Sequence, residues 1–301
     1  MSGLPGLVAD DLVRTLRIPE APRLTVHEML APTMLRSVTS DRRHPYEFSV
    51  DPMVRDGGDV RVMLNAAAVL RKEVRRRSWH QSTVAIGASG TDPYGFFEDR
   101  YRLMPGVIST LAESQTPFAL HTGSELVLRD LSLLRVVRHA VPTTVIVTVP
   151  AMDVDLCRRA DPQGSSPAKR IETVRKLADA GLVPHVQIAP LLPLLTDATS
   201  QLDDLLGELA DAGADRVSVS VLQLSDDGYL EWIAEEHPAL LRRYRSLYGR
   251  GSFVPADYAV RLRERMKPLV QEHGLVRPSG DEPAAAVAPI EPVEDPELTL
   301  F

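Results

Sequence analysis

The chain has 301 residues, 44% of them hydrophobic, which suits one large domain or two modest ones with a sizeable core. A formal net charge of −7 argues against a broad nucleic-acid surface. The single cysteine, Cys157, rules out an internal disulfide and a thiolate-rich metal site.

Residues 1–45 read as an N-terminal extension. Val8 to Leu16 has helical spacing, and Val26-His-Glu-Met-Leu-Ala31 reads as a short helix ending near Pro32. Met1-Ser-Gly-Leu-Pro-Gly6 lacks a signal core and no stretch reaches membrane-span length, so a cytoplasmic protein is expected. Tyr46 to Val50 alternates like a strand, Asp56-Gly-Gly-Asp59 marks a turn, and Val60 to Met63 completes a strand or hairpin. Asn65 is placed to cap a helix over residues 66–76. The basic run Arg71 to Arg77 reads as a solvated helix face, though Arg76 or Arg77 could meet an anion.

Thr83-Val-Ala-Ile-Gly-Ala-Ser-Gly-Thr-Asp-Pro-Tyr94 follows: an apolar run ending in small, polar and turn-forming residues. The design repeats at Phe118 to Thr122, Thr144 to Thr148, Val186 to Pro190 and Val217 to Gln223, each separated by room for a helix. Short, continuously apolar runs of this kind are parallel strands buried on both faces. Their polar ends collect on one rim, the default active site of an α/β fold. Asp92 fits a turn cap, a ribose contact or a cation ligand; His121, at a strand end beside hydroxyls, fits an acid or base and equally a neutral structural histidine. Glu125 opens the next helix near the same rim. Cys157 reads as a small buried residue. Pro190-Leu-Leu-Pro-Leu-Leu-Thr-Asp197 is a stiff apolar loop fit to floor a pocket. Helices follow over Asp197 to Leu209, Tyr229 to His237, Leu240 to Leu247 and Asp257 to about Glu272, the last bent near Pro268. Residues 276–301 form a Pro-, Ala- and Glu-rich tail.

The order of these pieces resembles the spore photoproduct lyase-like branch of the radical S-adenosylmethionine superfamily. The segments that carry the likeness are Val62 to Glu73, Ala85 to Tyr94, Arg100 to Ile108, Leu126 to Leu131, Ser166 to Arg170, Ala189 to Asp197, and Ala239 to Tyr248 with Gly251 to Tyr258. The resemblance implies an α/β fold, a partial (β/α)6 TIM-like barrel, over residues 46–275. It also implies a four-iron cluster on three spaced cysteines after an Asn-Pro-Tyr-like segment. Here His44-Pro-Tyr46 leads to Asn65 with no cysteine, so the cluster loop reads as deleted and no iron–sulfur cluster is expected. By position, the resemblance places Ser89, Thr91, Asp92, Tyr94, Thr122, Ser124, Thr148, Lys169, Arg170 and Gln187 around S-adenosylmethionine.

Three functions compete. A cluster-free enzyme would carry out polar methyl or aminocarboxypropyl transfer to a small molecule, with His121, Asp92 and Glu125 as candidate bases. A non-catalytic pseudoenzyme would bind the cofactor or a protein partner. A metal enzyme would rest on His121 with Asp92, which no metal motif supports. Nucleic acid and membrane are not expected as partners.

Overall fold

The computed structural model describes residues 25–38, 46–56, 59–88, 91–95, 97–162, 164–224, 228–249 and 251–275, and the strand 12–15, with backbone alone at 12–15 and 56. The expected tail over 276–301 and Ser89 lie outside the described residues. The chain divides into two compact units: residues 1–40, 46–146 and 180–182 form the first, and 41–45, 147–179 and 183–301 the second.

The first unit contains a four-stranded sheet made of β1 (Leu12–Thr15), β2 (Thr25–Met29), β5 (Met53–Asp56) and β6 (Asp59–Met63), in the order β1-β2-β6-β5. β5 and β6 pair antiparallel on either side of the turn expected at Asp56 to Asp59, which decides for the hairpin of the two readings. The expected helices at Val8–Leu16 and Val26–Ala31 are instead strands in their described parts. β1 runs antiparallel to β2, and β2 runs parallel to β6. Burial explains the second case. Val26 packs at 0% exposure with Met53, Val60, Val62 and Phe97. β2 therefore belongs to the core.

A second set of strands comprises β3 (Arg36–Ser37), β4 (Phe48–Val50), β7 (Val84–Ile86) and β8 (Phe118–Thr122). β3 is antiparallel to β4, while β4, β7 and β8 run parallel. Around them lie α1 (Ala66–Val74), α2 (Glu98–Tyr101), α3 (Met104–Glu113), a 3-10 turn at Glu125–Asp130, and α4 (Leu131–Val137). β9 (Thr143–Thr148) begins in this unit and ends in the second.

Asn65 precedes α1 without capping it through its side chain. Its amide brackets Ala31 instead: Oδ1 accepts the Ala31 N–H at 2.7 Å and Nδ2 donates to the Ala31 carbonyl at 3.0 Å. Leu64 N–H donates to the Met29 carbonyl at 3.0 Å. Asn65 thus extends the β2–β6 ladder by one step, a use that competes with capping.

The second unit holds α5 (Val154–Ala160), α6 (Pro167–Asp179), β10 (His185–Leu191), α7 (Thr199–Asp211), β11 (Arg216–Val221), α8 (Gly228–Glu236), α9 (Pro238–Leu247) and α10 (Ala256–Glu272). β10 and β11 are parallel. Asp153 caps α5 by accepting the Leu156 N–H at 2.8 Å. Pro268 sits inside α10, which is one continuous helix. No described helix is long and apolar enough to cross a membrane.

Candidate functional site

In the first unit the turn after β7 is fastened to the end of β8. Gly87 has φ +76°, and a Cβ there would fall on Pro93 Cδ and lie 2.7 Å from the His121 carbonyl oxygen. Gly87→Ala is therefore expected to cost about 2 kcal/mol or more in unfolding free energy, measurable by urea denaturation. A cost near zero would mean that the turn can open. Asp92 Oδ1 accepts the Tyr94 N–H at 2.8 Å and the Thr122 hydroxyl at 2.7 Å, and Oδ2 accepts the Gly123 N–H at 2.7 Å. The Thr122 hydroxyl in turn accepts the Ser124 N–H at 3.0 Å. Ser124 Oγ accepts the Leu126 N–H at 3.2 Å and so caps the 3-10 turn. Thr91 Oγ1 accepts the Arg55 N–H at 3.0 Å. Asp92 thus clamps the rim rather than standing as an open base.

His121 is half-buried, with its ring edge-on to Tyr46 at 5.9 Å between centroids. Glu125 is exposed beside it in sequence. Tyr94, placed near the ligand by the resemblance, is 1% exposed.

Tyr94 belongs to a buried network that the chain pattern did not announce. Its hydroxyl donates to Asp130 Oδ2 at 2.9 Å. Arg129 donates to Asp130 Oδ1 at 3.0 Å and Oδ2 at 2.8 Å, and to Glu98 Oε1 at 2.6 Å. Glu98, at 0% exposure, also accepts the N–H groups of Leu103 and Met104 at 2.9 and 3.0 Å, capping α3. Burial, helped by Asp130, pushes the Tyr94 hydroxyl pKa far up. Burial also raises the Glu98 carboxyl pKa, against the pull of Arg129 and the two amides.

In the second unit Arg170 is fully buried. Its guanidinium donates to the Ser165 carbonyl and the Thr148 carbonyl, both at 2.6 Å, and to Asp161 Oδ2 at 2.7 Å. Gly164 lies so close that a Cβ there would collide with Arg170 Nη2. Arg170 therefore holds the 161–165 loop to the end of β9 and presents nothing to a ligand. Lys169 is exposed, and Thr148 and Gln187 are half-buried; the Gln187 carbonyl accepts the Val149 N–H at 2.9 Å.

The end of β10 and the loop after it are buried at Leu191 and Leu192 and pinned by side chains from other elements. Tyr244 donates to the Pro193 carbonyl at 2.6 Å, and Tyr258 donates to Asp197 Oδ2 at 2.7 Å. Leu194, at φ 66°, donates its N–H to Asp197 Oδ1 at 2.8 Å. These tyrosines were missed because nothing local in α9 or α10 marks them as loop anchors. On α8, Trp232 and Ile233 are buried, and Arg159 lies over the Trp232 and Tyr229 rings at 5.1 and 5.5 Å.

Cys157 is 1% exposed, with burial pushing its thiol pKa up. Among the described residues no group of three or more His, Cys, Asp or Glu is placed to hold a metal ion.

No protein-family model matches the chain. It is 38% identical over 328 aligned positions to protein Rv2578c of Mycobacterium tuberculosis, covering 99% of this chain and 94% of that protein. Protein Mb2609c of Mycobacterium bovis matches to the same extent. Among solved structures, a spore photoproduct lyase mutant aligns with a TM-score of 0.61 at 17% identity, covering 82% of this chain and 79% of that one. Another mutant of that enzyme, solved with bound AdoMet and dinucleoside spore photoproduct, gives 0.61 at 16%, covering 82% and 78%. The chain shares the fold of that enzyme.

Proposed function

This chain belongs to the family of the mycobacterial protein Rv2578c, and we propose that it binds S-adenosylmethionine without a four-iron cluster and catalyses a polar transfer to a small molecule. One observation carries the reading. The fold is that of an enzyme solved with AdoMet, yet the one cysteine is buried in α5 with its thiol pKa raised. A four-iron cluster asks for several thiolates. The residues present do not fit it. The alignment to Rv2578c spans 328 positions against 301 residues here, so that relative carries segments this chain lacks. On this proposal the parallel strands are a partial (β/α)6 barrel whose cluster loop has been removed.

Bound S-adenosylmethionine supplies an electrophilic methyl or aminocarboxypropyl carbon, and its sulfur leaves as a neutral thioether. Of the candidate bases, His121 is the residue for the proton of the attacking nucleophile, held beside Tyr46 at the end of β8. Thr91, Ser124 and Glu125 are the candidate ligand contacts of the first unit, and Thr148, Lys169 and Gln187 those of the second. Asp92 and Thr122 fix the backbone at the end of β8 in the first unit, and Arg170 fixes the end of β9 in the second.

Calorimetric titration of purified protein, after elemental analysis for iron, tests this. Iron-free protein is expected to bind S-adenosylmethionine with a Kd on the order of 1 μM, about −8 kcal/mol. No heat of binding would sink the proposal. A second reading is a non-catalytic binding protein. It is favoured by the internal commitment of Tyr94 and Arg170 and by the burial of Leu191 and Leu192. Tight binding with no transfer to any nucleophile offered, in wild type and His121→Ala alike, would select it.

A further inference from the structure

The parallel strands of the first unit bring to His121 a carboxylate that the chain pattern leaves unmarked. Ser49 of β4 stands abreast of Ala85 of β7, and Ala85 abreast of Ala119 of β8. Val50, Ile86 and Leu120 form the next row. Carried one residue further, the register sets Asp51, Gly87 and His121 side by side. Pro52 keeps Asp51 in extended backbone, and His121 lies inside β8, so the row holds at both ends. Two strand spacings put their Cα atoms about 9.5 Å apart.

Side chains two residues apart on a strand share a face. Asp51 therefore rises on the face of Ser49, and His121 on the face of Ala119. Ser49, Ala85 and Ala119 are all small and buried, while the bulkier Val50, Ile86 and Leu120 point the other way. Between the two, Gly87 brings no side chain, and the edge of the Pro93 ring lies where its Cβ would stand. Asp51 is 4% exposed, and both its carboxylate oxygens and His121 Nε2 are shielded from water. A carboxylate so buried is costly unless a cation or donors stand close. An imidazole on the same face can become that cation near neutral pH. The Tyr46 ring, edge-on to His121, limits how the imidazole can turn.

We propose that Asp51 is the positioning carboxylate of His121, orienting its ring and stabilising the imidazolium. This rests on the transfer reading, in which His121 takes the proton of the attacking nucleophile. The imidazole gains that proton and becomes a cation, while Asp51 stays ionised. Two other carboxylates lie near His121 and suit the role less. Asp92 is committed to the Thr122 hydroxyl and the Gly123 N–H, and Thr122 points to the opposite face of β8. Glu125 is exposed, where water screens its charge.

The test is an NMR titration of the His121 ring from about pH 5 to about pH 9 in wild type, Asp51→Asn and Glu125→Gln. The His121 signal is the one that disappears in His121→Gln. Its midpoint is expected to fall by about one pH unit in Asp51→Asn, a roughly tenfold weaker hold on the proton. In Glu125→Gln it should move by less than about 0.3 unit. A purely structural aspartate would not move it. The coupling is reciprocal, so the Asp51 carboxyl, followed by its carbon signal, should titrate about one unit higher in His121→Gln. That measurement decides the matter if the melting curve shows Asp51→Asn to be unfolded. An unmoved midpoint in folded Asp51→Asn overturns the proposal, as does an equal fall in Glu125→Gln or an unmoved Asp51 carboxyl in His121→Gln. None of these readouts needs S-adenosylmethionine. Coupling without any heat of S-adenosylmethionine binding would keep the pair and sink the transfer reading, and heat without coupling would do the reverse.

Discussion

Replacing Arg170 with methionine is expected to lower the unfolding free energy by about 3–5 kcal/mol. The side chain is at 0% exposure, and all three of its nitrogen positions donate: to Ser165, Thr148 and Asp161. Methionine fills much of the space but strands two carbonyls and a carboxylate. Each buried group left without a partner costs about 1–3 kcal/mol. Arg170→Lys should recover little, because an ammonium on a flexible stem cannot donate in three fixed directions. Asp161→Asn should cost less, about 1–2 kcal/mol, since Asp161 is 32% exposed and water can take part of its place. Urea denaturation with a double-mutant cycle over Arg170 and Asp161 measures this. A loss below about 1 kcal/mol for Arg170→Met would mean that the loop is held by other bonds.

Glu98→Ala is expected to cost about 3 kcal/mol, the second large effect. It removes the partner of Arg129 at 2.6 Å and uncaps the Leu103 and Met104 amides at the start of α3. Glu98→Gln keeps the shape and should cost less. Its pH dependence carries a definite sign. Burial raises the folded-state carboxyl pKa above its ordinary value of 4.5, so the folded state holds the proton more firmly than the unfolded chain. The stability this provides is full below 4.5 and is lost as pH rises through the raised folded value. The stability gap between wild type and Glu98→Gln should therefore narrow with rising pH across that window. Denaturation midpoints from acid to neutral pH would show it, and a gap that widened would contradict the burial argument.

The parallel strands were legible because their signal is local. β8 runs from Phe118 to Thr122 and β9 from Thr143 to Thr148, within a residue of where continuous apolar runs end in hydroxyls. Glycine-ended helices carry a signal as local: Gly181 and Gly213 adopt φ 76° and 85° after α6 and α7. The N-terminal sheet was not legible. In Thr25 to Met29 only Val26 is buried, and one apolar anchor fits a helix as well as a strand. Strand pairing across more than thirty residues decided the matter.

The site divides in the same way. The sequence placed hydroxyls, His121 and Asp92 at strand ends, where they are found. What each one does depends on partners far along the chain. Asp92 meets Thr122 and Gly123 across 30 and 31 residues, and Asn65 meets Ala31 across 34. Arg129 and Glu98 look like ordinary helix-surface charges until 31 residues of intervening chain bring them together. Residue type at a strand end is local information. Whether the side chain faces a ligand or its own backbone is not.

The position of β2 bears on how this protein can be trimmed. β6 has β5 on one side and β2 on the other, and β2 arrives from the first thirty residues. A chain begun at Tyr46 would leave β6 with a bare row of backbone donors and acceptors. Val60 and Val62 would lose the cover of Val26. Such a margin is a template for pairing with another copy. β2 is thus a guard against self-association as much as a piece of core.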